Sequence, residues 1–107
     1  MTRPIDVERG GRMLEIRKAL EMTQEDFADA LNRAARELGL VEQYDYLYVS
    51  RRETARKKLE PEDFACIAML DPQRRGWTWV AFGRAITMGK GARDVLARSI
   101  RHIGCQL

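Results

Sequence analysis

The side chains with the most chemistry to offer are gathered mid-chain: Gln43, Tyr46, Tyr48, Ser50, Arg51, Arg52, Arg56, Lys57 and Lys58. None stands beside a histidine or a second acid in a spacing that would activate a nucleophile. What they offer is recognition. An arginine pairs bidentately with guanine and a glutamine with adenine, tyrosine and serine hydroxyls reach phosphates or base edges, and lysines neutralise phosphate charge. Upstream, Thr23 and Gln24 stand where a helix should begin, so Gln24 can reach a phosphate at that helix end.

Catalytic chemistry finds little to work with. The chain has one histidine, His102, no glycine-rich phosphate loop, no acids at metal-ligand spacing and no Ser or Cys beside a base, so no enzymatic activity is expected. Cys66 lies inside an apolar helical pattern and reads as core. His102 and Cys105 can share a helix face, but two ligands fall short of a metal site, and neither a metal nor a cofactor is expected.

The elements that would position the polar cluster read as helices throughout. Thr23 is a good N-cap with Asp26 three residues on, and Phe27, Ala28 and Leu31 recur at helical spacing. This helix should start at Gln24 and run through Ala34, Ala35 and Leu38 to a stop at Gly39. Before it, Pro4 and Asp6 suit a turn or short helix that Gly10-Gly11 interrupts, and Arg12 to Leu20 forms an amphipathic helix. Residues 41 to 56 are ambiguous, because Tyr44, Tyr46 and Tyr48 alternate as a strand would. A lone strand has no partner within hairpin range, which favours a helix beginning near Val41. On that helix Tyr46 and Tyr48 stand among the outward candidates; alternatively Tyr44, Leu47 and Tyr48, at i, i+3 and i+4, are core and only the arginines face outward.

Pro61, followed by Glu62 and Asp63, opens a fourth helix to about Leu70, with Phe64, Ile67, Ala68 and Leu70 inward. Gln73 to Gly76 is a turn, and a fifth helix begins near Thr78. Its Trp77, Trp79 and Phe82 suit core better than a ligand box, with a self-complementary face as the other use for such aromatics. Gly89-Lys90-Gly91 then breaks the pattern before a sixth helix over Ala92 to Ile103. The fold class is therefore all-α, a compact bundle of about five to six helices.

Several of these residues resemble the XRE, or Cro/repressor-type, helix-turn-helix family. Met13, Leu14, Ile16, Arg17 and Leu20 are similar to its first helix, Thr23-Gln24-Glu25 with Phe27-Ala28 to its Thr/Ser-Gln-Glu-x-(Leu/Phe)-Ala signature, and Val49-Ser50-Arg51-x-Glu53 to the end of its recognition helix. Arg56, Lys57, Lys58 and Pro61 resemble its basic turn and following proline. The likeness spans roughly residues 11 to 70. The chain departs from the family in three places: the segment from Asn32 to Tyr48 is longer than a tight turn needs, Arg52 stands where the family usually buries Ile or Trp, and Ala55 where it usually has Gly.

The resemblance implies a transcriptional regulator, a repressor by preference, that reads an operator in the major groove of double-stranded DNA as a homodimer. Thr23, Gln24, Gln43, Tyr46, Tyr48, Ser50, Arg51, Arg52, Arg56, Lys57 and Lys58 would make the contacts. The same fold also serves as an antitoxin-like or anti-repressor module with a small protein partner, and a helical interaction protein without DNA binding is a further alternative.

Composition frames these expectations. At 107 residues, with 45% hydrophobic and 33% charged residues, the chain suits one domain, with residues 11–70 as the helix-turn-helix core and residues 71–107 as a C-terminal extension suited to dimerisation. No apolar run of transmembrane length and no signal-peptide block occur, so a cytoplasmic protein without a membrane partner is expected. Net charge is only +3, but residues 1–50 carry 7 Lys/Arg against 10 Asp/Glu and residues 51–107 carry 12 against 6. The densest basic cluster, Arg51 to Lys58, closes the expected recognition helix, and phosphate contacts made there should weaken steeply with salt.

Overall fold

Pro4 at the first helical position, Asp6 in the first turn and Arg17 and Lys18 in the last set up a helix whose charges complement its own dipole. In the computed structural model, which describes residues 2–84, this helix, α1, spans Pro4–Ala19. It is followed by α2 (Gln24–Glu37), α3 (Tyr46–Glu53), α4 (Pro61–Leu70) and α5 (Trp77–Phe82). The chain is all-helical over these residues. The expected sixth helix, Gly89 to Gly91, His102 and Cys105 lie outside them.

Gly10 and Gly11 do not interrupt α1, contrary to the expectation from sequence. Glycine inside a helix costs about 0.5–1 kcal/mol relative to alanine, so something must offset it. At Gly10 the offset is close packing: a Cβ there would run into the carbonyl oxygen of Arg52 and stand 3.1 Å from that of Glu53. The missing side chain lets the backbone of α1 lie directly on the C-terminal end of α3. Gly11 faces solvent, and a Cβ there would meet nothing.

The second and fourth helices begin where local chemistry places them. Thr23 Oγ1 accepts the N–H of Asp26 at 3.0 Å and starts α2. Pro61 opens α4, where the Asp63 carboxylate reaches back to the N–H of Glu60 at 2.8 Å. The third helix starts later than expected, at Tyr46 rather than near Val41, because Asp45 is its N-cap and accepts the N–H of Tyr48 at 2.7 Å. The approach to it is held at Tyr44 by Asn32, whose side-chain amide donates to the Tyr44 carbonyl at 2.9 Å and accepts the Tyr44 N–H at 3.0 Å. One side chain on α2 thus supplies the backbone partners that an irregular segment lacks.

Three helices end in the same way. The residue after the C-cap takes a left-handed conformation at Glu21, Gly39 and Ala55, with φ of 54, 72 and 61°. Each turn closes with the paired 6→1 and 5→2 bonds of a Schellman motif: Met22 to Arg17 and Glu21 to Lys18, Leu40 to Ala35 and Gly39 to Arg36, Arg56 to Arg51 and Ala55 to Arg52. Only the second of these ends carries the glycine that this conformation favours.

The core is one apolar cluster of Met13 and Ile16 from α1, Phe27, Leu31 and Ala35 from α2, Val49 from α3, Leu59, Cys66 and Ile67 around α4, and Val80 from α5. Burial pushes the Cys66 thiol above its ordinary pKa, as suits a core cysteine. Helix α5 is drawn onto α1 by two arginines. Arg9 Nε donates to the Ala81 carbonyl at 2.7 Å and Arg12 Nε to that of Val80 at 2.9 Å, so both cations meet carbonyls at the negative end of a short helix. Behind them the buried Asp71 carboxylate takes Arg75 Nε at 3.0 Å and the N–H groups of Gln73 and Arg75, closing the turn into α5.

Two outcomes follow from the backbone. Gly10→Ala should lower the unfolding free energy by about 1–3 kcal/mol, because the clash is with backbone and cannot be relieved by a rotamer, whereas Gly11→Ala should raise it by about 0.5–1 kcal/mol; urea denaturation of the two variants separates them. Glu21→Gly should stabilise by about 1 kcal/mol, since it relieves a left-handed non-glycine residue and removes an acid from a helix C-terminus. At Ala55 the same relief is cancelled by loss of a buried methyl worth about 0.8 kcal/mol.

Candidate nucleic-acid interface

Helix α3 is eight residues long and buries one of them completely, Val49. With Val49 fixed inward, the helical period sends Arg52 and Glu53 to the same side and turns Leu47, Arg51 and Thr54 away from it, with Ser50 on the flank; Tyr46, three residues before Val49, is the first residue of the helix. Tyr46 is 56% exposed and Leu47 43%. Arg51 and Thr54 are exposed and Ser50 is partly so. Gln43 is also exposed, next to the Tyr44 backbone that Asn32 pins.

Two buried carboxylates hold this face in place. Glu53, its side chain 3% exposed, receives Arg17 Nε at 2.9 Å on both oxygens. It also accepts Gln24 Nε2 at 3.3 Å, so one carboxylate joins α1, α2 and α3. Arg17 additionally donates to the Met22 carbonyl at 2.9 Å, fixing the turn between the first two helices. Arg17 and Glu53 thus brace α1 against α3.

Asp63, fully buried on α4, is the second anchor. One of its oxygens accepts the hydroxyls of Tyr44 at 2.7 Å and Tyr48 at 2.8 Å. The other takes the N–H of Glu60 and lies 3.7 Å from Arg52 Nε, an ion pair longer than a hydrogen bond. The Arg52 guanidinium covers the Tyr48 ring at 3.2 Å, and the Tyr44 and Tyr48 rings meet edge to face at 4.8 Å. Burial and the neighbouring Asp63 charge push both phenols well above their ordinary pKa, so they stay protonated as donors.

The expected contact residues therefore divide. Arg51 and Ser50 lie on the outward part of α3, Gln43 and Tyr46 are exposed at its approach and first residue, and Arg56, Lys57 and Lys58 lie exposed on the turn that follows. Thr23 caps α2 through its oxygen and keeps its O–H for an outside acceptor; Gln24 has one of its two N–H donors committed to Glu53. Tyr48 and Arg52 turn inward to Asp63, and the structure does not bring them to the outward face. Arg52 places a cation in a mostly covered position, where Asp63 and the Tyr48 ring lie against it. The orientation of Leu47 also differs from its alternative reading as core.

Leu47 and Thr54 belong to the outward face, although the sequence had not marked either as a contact residue. The signal for both is Asp45: taken as an N-cap with its carboxylate on the third residue beyond, it sets the start of α3 and hence the side on which each residue falls.

Among the described residues, no cluster of three potential metal ligands forms and no helix is long and apolar enough to cross a membrane. No family model, no curated protein and no solved structure matches this chain.

The brace is testable without any ligand. Breaking a buried ion pair leaves an uncompensated charge, so Glu53→Ala should cost about 3 kcal/mol. The double variant Arg17→Ala/Glu53→Ala should lose less than the sum of the two single losses, read as a coupling energy in a double-mutant cycle by denaturant unfolding.

Proposed function

We propose that this protein binds duplex DNA in a sequence-specific manner, with α3 in the major groove, and acts as a transcriptional regulator. The observation that carries the reading is the division of α3 itself. Its inward side is locked by Val49, Glu53 and Arg52, while Ser50 and Arg51 turn outward, the exposed Gln43 and Tyr46 stand at its start, and the exposed Arg56, Lys57 and Lys58 follow its end. A rigid helix with side chains suited to base edges and a basic turn at its end combines what major-groove recognition requires.

In this arrangement Arg51 pairs with a guanine edge, Gln43 and Ser50 contact bases or sugar-phosphate, and Arg56, Lys57 and Lys58 neutralise phosphates. Thr23 and the uncommitted donor of Gln24 meet the backbone at the start of α2. A two-fold dimer would set two such helices about one DNA turn apart and so read an inverted repeat, most simply as a repressor that occupies a promoter.

A second reading rests on the first turn and a half of α2, where Glu25, Asp26 and Asp29 are all exposed. Such acids repel phosphate and suit a basic protein partner, as in an antitoxin-like module on the same scaffold.

Selection of the folded protein against a randomised duplex pool, at about 0.15 M salt, tests the first reading; an enriched inverted repeat is the expected outcome, and no enrichment would overturn it. On the selected site Arg51→Ala should lose about 1–3 kcal/mol of affinity and relax preference at one base pair. Lys57→Ala should weaken all sequences alike and flatten the salt dependence. Arg52→Ala should instead lower stability, since its work is done against Asp63 and Tyr48.

A further inference from the structure

The outward face of α3 contains one side chain with no polar group at all. Leu47 is 43% exposed, one residue after Tyr46 and three and four residues before Ser50 and Arg51, at the second position of a helix capped by Asp45. An isolated exposed leucine is ordinary on a protein surface. This one stands within the side chains that would enter the groove, where water is displaced, and the flanking Arg51, Arg56, Lys57 and Lys58 match a polyanion in charge.

Base edges in the major groove offer donors, acceptors and one apolar group, the 5-methyl of a pyrimidine, carried by thymine and by methylated cytosine. Donors and acceptors facing Leu47 would lose water and gain no partner. A 5-methyl would gain apolar contact on the Leu47 methyls. We infer that Leu47 is a specificity-determining residue that reads a pyrimidine 5-methyl, so that the DNA site carries a thymine beside the base pair contacted by Arg51. Their one-turn separation on the helix places Leu47 and Arg51 on neighbouring base pairs of one half-site.

This inference rests on the DNA-binding reading, and its test is built to fail separately from it. On the selected duplex, each thymine is replaced in turn by uracil, which removes only the 5-methyl, and affinity is measured by fluorescence anisotropy for the unaltered protein and for Leu47→Ala. The expected result is one thymine per half-site whose replacement weakens binding about fourfold, the worth of one buried methyl group, with that difference abolished in Leu47→Ala. At the same position cytosine should bind as weakly as uracil or worse, and 5-methylcytosine should regain part of the loss over cytosine.

Specific binding with no thymine sensitive to loss of its methyl would overturn the inference and leave the DNA reading intact. So would an undiminished sensitivity in Leu47→Ala, which would place another residue on the methyl. Absence of any selected site would overturn both. Leu47 is exposed and at a helix start that alanine suits, so the variant should fold, and an unchanged melting temperature checks this.

Discussion

A carboxylate with no exposure to water has to be surrounded by donors, and Asp63 is the point around which the middle of this protein is organised. The hydroxyls of Tyr44 and Tyr48, the N–H of Glu60 and the charge of Arg52 all come to it, from the segment before α3, from α3 itself and from the start of α4. No one of these groups can leave without stranding the others in a medium of low polarity. The result is a short helix whose rotation about its own axis is set along its inward side, by Tyr48 and Arg52 at Asp63 and by Val49 and Glu53 beside them. An eight-residue helix has little stability of its own. What it lacks in length is supplied by its anchors, and the outward side chains inherit their direction from them.

The two acids divide the task by range. Glu53 ties α3 back to α1 and α2 through Arg17 and Gln24, and Asp63 ties it forward to α4 and to the segment that precedes it. Both use polar partners, namely cations, phenols, an amide and a backbone N–H, rather than apolar contacts. Buried polar networks add little net stability compared with well-packed hydrocarbon, but they tolerate few alternative geometries. A surface meant to meet a partner at the scale of single hydrogen bonds gains from that intolerance, because a helix rotated by a few tens of degrees would present different side chains.

Local signals in the sequence predicted local structure well. The Thr23 cap, the Gly39 stop and the Pro61 start each depend on residues within one turn of one another, and each helix end lies where those residues place it. The failures share a different cause. Gly10 looks like a break until the carbonyl of Arg52, 42 positions away, is known to lie against it. The alternating tyrosines look like a strand, or like outward readers, until Asp63 claims two of them. Arg52 looks like a phosphate contact for the same reason. Each of these depends on a partner outside the window in which periodicity can be read, and the side on which Tyr46 and Leu47 fall depends on knowing the first residue of α3.

The arginine clamp between the two ends of the described domain has a consequence for how the chain acquires its fold. Arg9 reaches the carbonyl of Ala81 across 72 positions of sequence, and Arg12 reaches Val80 across 68. The partners of the first helix are almost all made late: Arg52 and Glu53 halfway along, Val80 and Ala81 at the far end. During synthesis α1 therefore emerges early, and its contacts with α5 wait until about three quarters of the 107 residues have been joined. Closure of so long a loop puts the ordering cost of the intervening chain ahead of the contacts that reward it. The last of the described helices thus supplies the carbonyls that hold Arg9 and Arg12, and a ribosome-bound chain stopped before Val80 would lack that clamp.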